Sequence, residues 1–323
     1  MNKLIMALSA IVAALGFTTA AKADISVAGS SNVAYLSTSG SDTAGDSELA
    51  VGHTVDFTMS TTTSGGIGIS AGMSLSQDYD ANDGDAVDGG NSVTFSTGGS
   101  TIVVGDVEVS DTIGAVGGVV NGVLDDASDL SSSVATGFRD DDGLGVELTT
   151  AMGAASLNIS FVSNDQADNF GILNSSASGD DAAMSASITM PMGAYSVTLG
   201  VADSDGGESS SGASASGTIG GGTVTVGYSN QTLTADHGSL TTAGDSEVVG
   251  ATYSMSMDAD TTIAIGYTSR KDSDSESDTK TELSVERALG GGATVYLDLV
   301  NLSGDTASNA DGTAIAFGTS VAF

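Results

Sequence analysis

The chain has no cysteine, no tryptophan and a single proline, Pro191, and it sets only 7 lysines and arginines against 41 aspartates and glutamates. Each shortage excludes something. Without thiols there is no disulfide framework, no cysteine nucleophile and no thiolate metal site. The formal charge is −34. Beyond the N-terminal segment the basic residues are Arg139, Arg270, Lys271, Lys280 and Arg287, too scattered to clamp phosphate, so nucleic acid is not an expected partner. The two histidines, His53 and His237, have no visible acid or base partner. No catalytic constellation can be nominated, and an enzyme is not expected. Long apolar runs are also missing. After residue 23 nothing approaches the roughly eighteen consecutive apolar residues that a membrane-spanning helix needs.

The N-terminus has its own pattern. Lys3 is followed by an apolar run from Leu4 to Phe17 and by small residues up to Ala21-Lys22-Ala23, the charged, apolar and cleavage-site regions of a secretory signal peptide. Residues 1–23 are therefore expected to be a signal peptide and 24–323 the mature chain. Removing Lys3 and Lys22 and no acid leaves 5 basic residues against 41 acidic ones, a formal charge of −36.

What is abundant is glycine, 45 residues, together with Ser, Thr and Asp, a composition poor for helices. The apolar residues are not scattered. They alternate in short segments, the period of a strand with two chemically different faces. Val51, His53, Val55, Phe57 and Met59 oppose Thr54, Asp56 and Thr58, and Ile67, Ile69, Ala71, Met73 and Leu75 oppose Ser70, Ser74 and Ser76. Alternation of this kind predicts sixteen strands: 25–36, 51–60, 67–77, 92–97, 101–106, 144–150, 155–163, 182–190, 195–202, 212–219, 223–229, 246–255, 262–268, 281–289, 293–300 and 313–323.

Short and long connections alternate strictly between them. The short ones, such as Gly98–Ser100, Gly220–Gly222 and Gly290–Gly292, have the residues of tight hairpins. The long ones, near 37–50, 78–91, 107–143, 164–181, 203–211, 230–245, 269–280 and 301–312, hold most of the acid. Such order describes an up-and-down sheet with one short-turn rim and one long-loop rim. An open sheet of sixteen strands would expose two aggregation-prone edges, which closure removes. A barrel of this size is too wide for side chains to fill. The apolar faces then point outward into lipid and the polar faces line water. The fold expected is an all-β, transmembrane, up-and-down antiparallel barrel. Phe323, the final aromatic of the last strand, is expected to face outward at the short-turn rim where that strand pairs with the first.

The segment Ser92-Val93-Thr94-Phe95-Ser96-Thr97-Gly98-Gly99-Ser100-Thr101-Ile102-Val103-Val104-Gly105-Asp106 resembles the hairpin before the third, longest loop in alphaproteobacterial general porins. The signal sequence, the strand count, the long third loop and the terminal Phe323 agree over the whole mature chain. The resemblance implies a homotrimeric channel in the outer membrane of a Gram-negative bacterium, embedded in the lipid bilayer and touching outer-leaflet lipid. It would be delivered by the outer-membrane assembly machinery, for which the terminal aromatic strand resembles the recognition signal, and it would pass ions and small hydrophilic solutes. The third loop would fold into the barrel and present Glu108, Asp111, Asp125, Asp126, Asp129, Asp140, Asp141 and Asp142 beside Arg139. Carboxylates at a narrow constriction favour cations. The family's basic cluster on the wall opposite has no counterpart here, since no strand before Arg270 contains lysine or arginine. A cation-preferring or weakly selective pore is expected.

Two other readings stand beside the general pore. A substrate-specific outer-membrane channel would share every feature above. A secreted calcium-dependent adhesin or surface-layer protein would account for the acid, Gly and Ser, but its Gly-Gly-x-Gly-x-Asp repeats are missing. The run Asp78-Tyr79-Asp80-Ala81-Asn82-Asp83-Gly84-Asp85 starts like an EF-hand, yet Gly84 falls one position late and Gly89 stands where the bidentate Glu belongs. That rejects an EF-hand. Calcium bridged among Asp78, Asp80, Asp83, Asp85 and Asp88 remains an expectation, since hard oxygen ligands suit Ca²⁺ and unneutralised acids repel. No other cofactor is expected.

Overall fold

The computed structural model describes residues 24–40, 47–79, 86–108, 116, 118–120, 142–162, 182–204, 209–233, 244–272, 277–304 and 312–323. Alternating side chains build sixteen strands there: β1 Asp24–Gly40, β2 Ser47–Thr62, β3 Gly68–Tyr79, β4 Ala86–Thr97, β5 Ser100–Glu108, β6 Asp142–Met152, β7 Ala155–Val162, β8 Ala183–Met192, β9 Tyr195–Ser204, β10 Ser209–Ile219, β11 Gly222–Leu233, β12 Gly244–Ser256, β13 Thr261–Asp272, β14 Ser277–Gly290, β15 Ala293–Gly304 and β16 Gly312–Ala322. Every neighbouring pair is antiparallel, and β1 pairs with both β2 and β16, so the sheet is a closed barrel without edges.

One rim is made of tight turns. Between β10 and β11 the reversal takes only Gly220 and Gly221, with φ of 61° and 87°. A two-residue hairpin that follows the twist of its strands needs positive φ at both positions, which glycine adopts without penalty. At the same rim the C-terminus seals the barrel. Gly29 N–H donates to the Phe323 carbonyl at 3.0 Å and Phe323 N–H donates to the Gly29 carbonyl at 2.9 Å.

The strands run further toward the long-loop rim than alternation alone predicts. Residues 37–40, 47–50, 86–91, 269–272 and 277–280 lie in strands rather than in loops. Ladder hydrogen bonds join backbone groups whatever the side chain, so pairing continues after the apolar pattern stops. Asp78 and Asp88 accordingly occupy strand positions, and a bulge shifts the β3–β4 register beyond Gly72.

The outer face is apolar, as expected: Ile25, Val27, Leu49, Met59, Met73, Ile159, Leu199, Ile265, Leu297, Phe317 and Phe323 are all exposed on it. In a bilayer this surface meets acyl chains. The inner face is less uniformly polar than expected. Ala34 and Leu36 of β1, Tyr296, Val300 and Leu302 of β15 and Ala314 and Ala316 of β16 form one buried apolar cluster, with Val120 packed against it. Val107, Val162, Ala183 and Ala202 form a second, on β5, β7, β8 and β9. An inward apolar face is stable only when something covers it, and for the first cluster that cover includes the third loop.

Candidate functional site in the barrel lumen

Four residues of the third loop, Val116 and Gly118–Val120, lie inside the barrel against its wall. Val116 is 3% exposed and stands over Gly250 of β12, where a Cβ on Gly250 would come within 2.9 Å of the Val116 Cβ. Val119 stands over Gly266 of β13, and Gly118 beside the Glu282 carboxylate of β14. Val120 reaches the apolar cluster of β15, β16 and β1. Together these contacts span the wall from β12 to β15, β16 and β1. The described residues therefore lie across several strands of the wall rather than along one of them. Fully burying one valine contributes about 1.5–3 kcal/mol, so Val116 alone gives the segment a real preference for the wall.

A group of buried charges lies on the same wall. Arg270 of β13, Asp278, Lys280 and Glu282 of β14 and Asp298 of β15 all face inward, and none is more than 6% exposed. Arg270 and Asp278 are direct register partners. Lys280 Nζ lies 3.2 Å from Glu282 Oε1. That oxygen accepts no directed hydrogen bond, so its contact with the ammonium is electrostatic in character. Burial of these charges is tolerated because each base stands opposite or beside an acid. This corrects one expectation. Arg270 and Lys280 fall in strands, not in a loop, and they do present basic side chains on the inner wall.

The rest of the wall is hydroxyl-rich, buried across β7–β11 at Ser160, Ser185, Ser210 and Ser229 and open elsewhere. Asp56 of β2 is exposed on the inward phase and accepts a hydrogen bond from Ser74 at 2.7 Å. Glu147 of β6 accepts one from Thr149 at 3.2 Å. Glu286 of β14 is half-buried on the same phase. Across β7–β9, the Ser160 and Ser185 hydroxyls share a bond, as do those of Thr189 and Thr198. Among the described residues the basic side chains on the inner face are Arg270 and Lys280; Lys271 and Arg287 take the outward phase. Arg287 sits at the short-turn rim, 3.6 Å from Asp258.

Of the constriction residues expected from the sequence, Glu108 ends β5 and Asp142 begins β6, and their backbones pair directly. Asp111, Asp125, Asp126, Asp129, Arg139, Asp140 and Asp141 lie outside the described residues, as do Asp80, Asp83 and Asp85 of the calcium expectation and His237. His53 is exposed on the outward phase of β2. The sequence did not point to Val116, Gly118, Val119, Val120, Gly250, Gly266, the inward Lys280 or the inward apolar wall. For the loop residues one signal was nonetheless present: Ala115-Val116-Gly117-Gly118-Val119-Val120 is an uncharged run in an otherwise acidic loop.

The closed sixteen-stranded barrel has known counterparts. The structure matches an anion-selective porin from Comamonas acidovorans with a TM-score of 0.66 at 14% identity, covering 94% of this chain and 100% of that one. It matches Salmonella typhi OmpF in complex with daunomycin with a TM-score of 0.72 at 12% identity, covering 93% and 97%. A mutant of the Rh. blastica porin matches with a TM-score of 0.65 at 16% identity, covering 93% and 100%. No curated protein sequence matches this chain. The family model of Gram-negative porins matches residues 7–307, and the porin family and its fold are channels, not enzymes. The chain belongs to the Gram-negative porin family and is a channel of the bacterial outer membrane.

Proposed function

We propose that this porin admits ions and small hydrophilic solutes by passive diffusion and prefers cations. The observation that carries the reading is the sign of the charge on the open inner wall. Asp56, Glu147 and Glu286 face the lumen there, whereas Arg270 and Lys280 are buried beside carboxylates. One porin that shares this barrel is anion-selective, so the fold does not set the sign and the side chains must. A monovalent cation passing about 5 Å from one carboxylate in a water-like medium gains about 0.8 kcal/mol, roughly a fourfold enrichment. A modest preference follows.

Reversal potentials across a salt gradient test it. Wild type is expected to read as cation-preferring, and Asp56→Asn with Glu147→Gln to move toward zero; an unmoved potential in the double variant would remove the open wall from the account. Liposome swelling with sugars of graded size separates a sieve, which declines smoothly, from a channel with one favoured solute. The proposal extends to a signal peptide over 1–23 and to a homotrimer, supported by family membership and read as a heat-labile trimer band in mild detergent. Divalent cations bridging the acidic loop residues near 78–88 are proposed on charge grounds; chelation should then lower the thermal unfolding temperature.

A further inference from the structure

We infer that the bore of the channel is set by a glycine seat, Gly250 and Gly266 on the inner wall, which lets the third-loop segment lie flush against β12 and β13. The inference rests on the reading of the lumen as the conducting path. Neighbouring inward positions on the same strands bear side chains, Val248 and Thr252 on β12 and Ala264 and Thr268 on β13. Apart from Gly244 at the start of β12, the inward positions on these strands that bear none are the two under the loop. At Gly250 a single added carbon would stand 2.9 Å from the Val116 Cβ and 3.0 Å from its Cγ2. Carbon atoms at rest sit about 3.5–4.0 Å apart, so one side must yield. The wall cannot: Gly250 is fixed between Gly227 and Thr268 by the β11–β12 and β12–β13 ladders. The loop yields instead, and the direction open to it is away from the wall, into the lumen.

Gly266 is the second point of the seat. A Cβ there would meet Glu282 Oε2 at 2.7 Å and the Val119 Cγ2 at 3.4 Å. Glu282 is also the group against Gly118, where a Cβ would approach Oε1 to 3.2 Å. The carboxylate fills the space between wall and loop, and Lys280 at 3.2 Å holds its charge. Gly250, Gly266 and Glu282 are therefore positioning residues. They are buried and act through where they place Val116 and Val119.

Single-channel conductance with size-matched substitutions tests the seat. Gly250→Ala is expected to lower conductance by a fraction and Gly250→Leu by about twofold, because the loop moves toward the axis of a narrow pore. Val116→Gly combined with Gly250→Ala is expected to restore the wild-type value. Gly72→Ala, an inward glycine of β3 whose added Cβ meets nothing within 4 Å, is the control and is expected to conduct as wild type. A general weakening of β12 would lower folded yield and would not be rescued by Val116→Gly, so unrescued loss overturns the inference. So does unchanged conductance in folded Gly250→Ala and Gly250→Leu. If Gly250→Leu does not fold, the Ala pair decides alone. A wild-type protein that forms no channel refutes the functional reading, whereas a conducting wild type with inert substitutions refutes only the seat.

Discussion

Phe323 combines two jobs in one residue. Its backbone exchanges two hydrogen bonds with Gly29 to finish the seam between β16 and β1, and its ring stands exposed on the outer face beside Gly29. In a bilayer an unpaired strand end has no water to turn to, so the seam must be complete. Deleting Phe323 is expected to cut the heat-modifiable, folded fraction after refolding severalfold, while channels that do form keep wild-type conductance. At the same rim, the N–H of Asp260 donates to Asp258 at 2.8 Å. That bond first, then the Thr261 hydroxyl and more weakly Arg287, holds the Asp258 carboxyl below its ordinary range. A depressed carboxyl stabilises the fold above its unfolded value and loses that contribution as pH falls through the folded one. Asp258→Asn should therefore differ from wild type in urea midpoint at neutral pH and converge with it in acid. The difference should be small, since Asp258 and Arg287 are both more than half exposed and such pairs are screened.

At the scale of elements, glycine positions separate into those that are required and those that are spare. Gly145 of β6 has the Phe161 carbonyl and the Val107 side chain where its Cβ would be, whereas Gly72 faces open space. Gly145→Ala is expected to destabilise the barrel by about 1–3 kcal/mol, the usual cost of overpacking, and Gly72→Ala to be neutral in the same urea titration. The strands themselves were legible in the sequence because lipid outside and water inside impose opposite chemistry on alternate residues. Val55 against Asp56 and Leu75 against Ser74 are enough to fix the phase. Legibility failed where that contrast ends. Residues 277–280 read as loop because Ser, Asp, Thr and Lys alternate in nothing, yet the β14 ladder runs through them. It failed too on β15, where Tyr296, Val300 and Leu302 are apolar on the inward phase because a loop, not water, covers them.

Across the whole molecule, selectivity is a balance between charges that meet the solvent column and charges that do not. The excess of acid was plain from composition, and the seated third loop was foreseen from resemblance. The fate of the basic residues was not, because it depends on which side of a wall Lys280 points and what lies over it, and neither is written in local pattern. With Arg270 and Lys280 held beside carboxylates, the open wall decides. Such a field is screened. Its reach is about 10 Å at 0.1 M salt and about 3 Å at 1 M, so the preference should fade as salt rises. The reversal potential of the wild-type channel, measured across a fixed salt ratio first near 0.1 M and then near 1 M, tests this most directly. A cation-sided potential that shrinks toward zero at high salt is the predicted result; an anion-sided potential, or one indifferent to salt, would contradict the account.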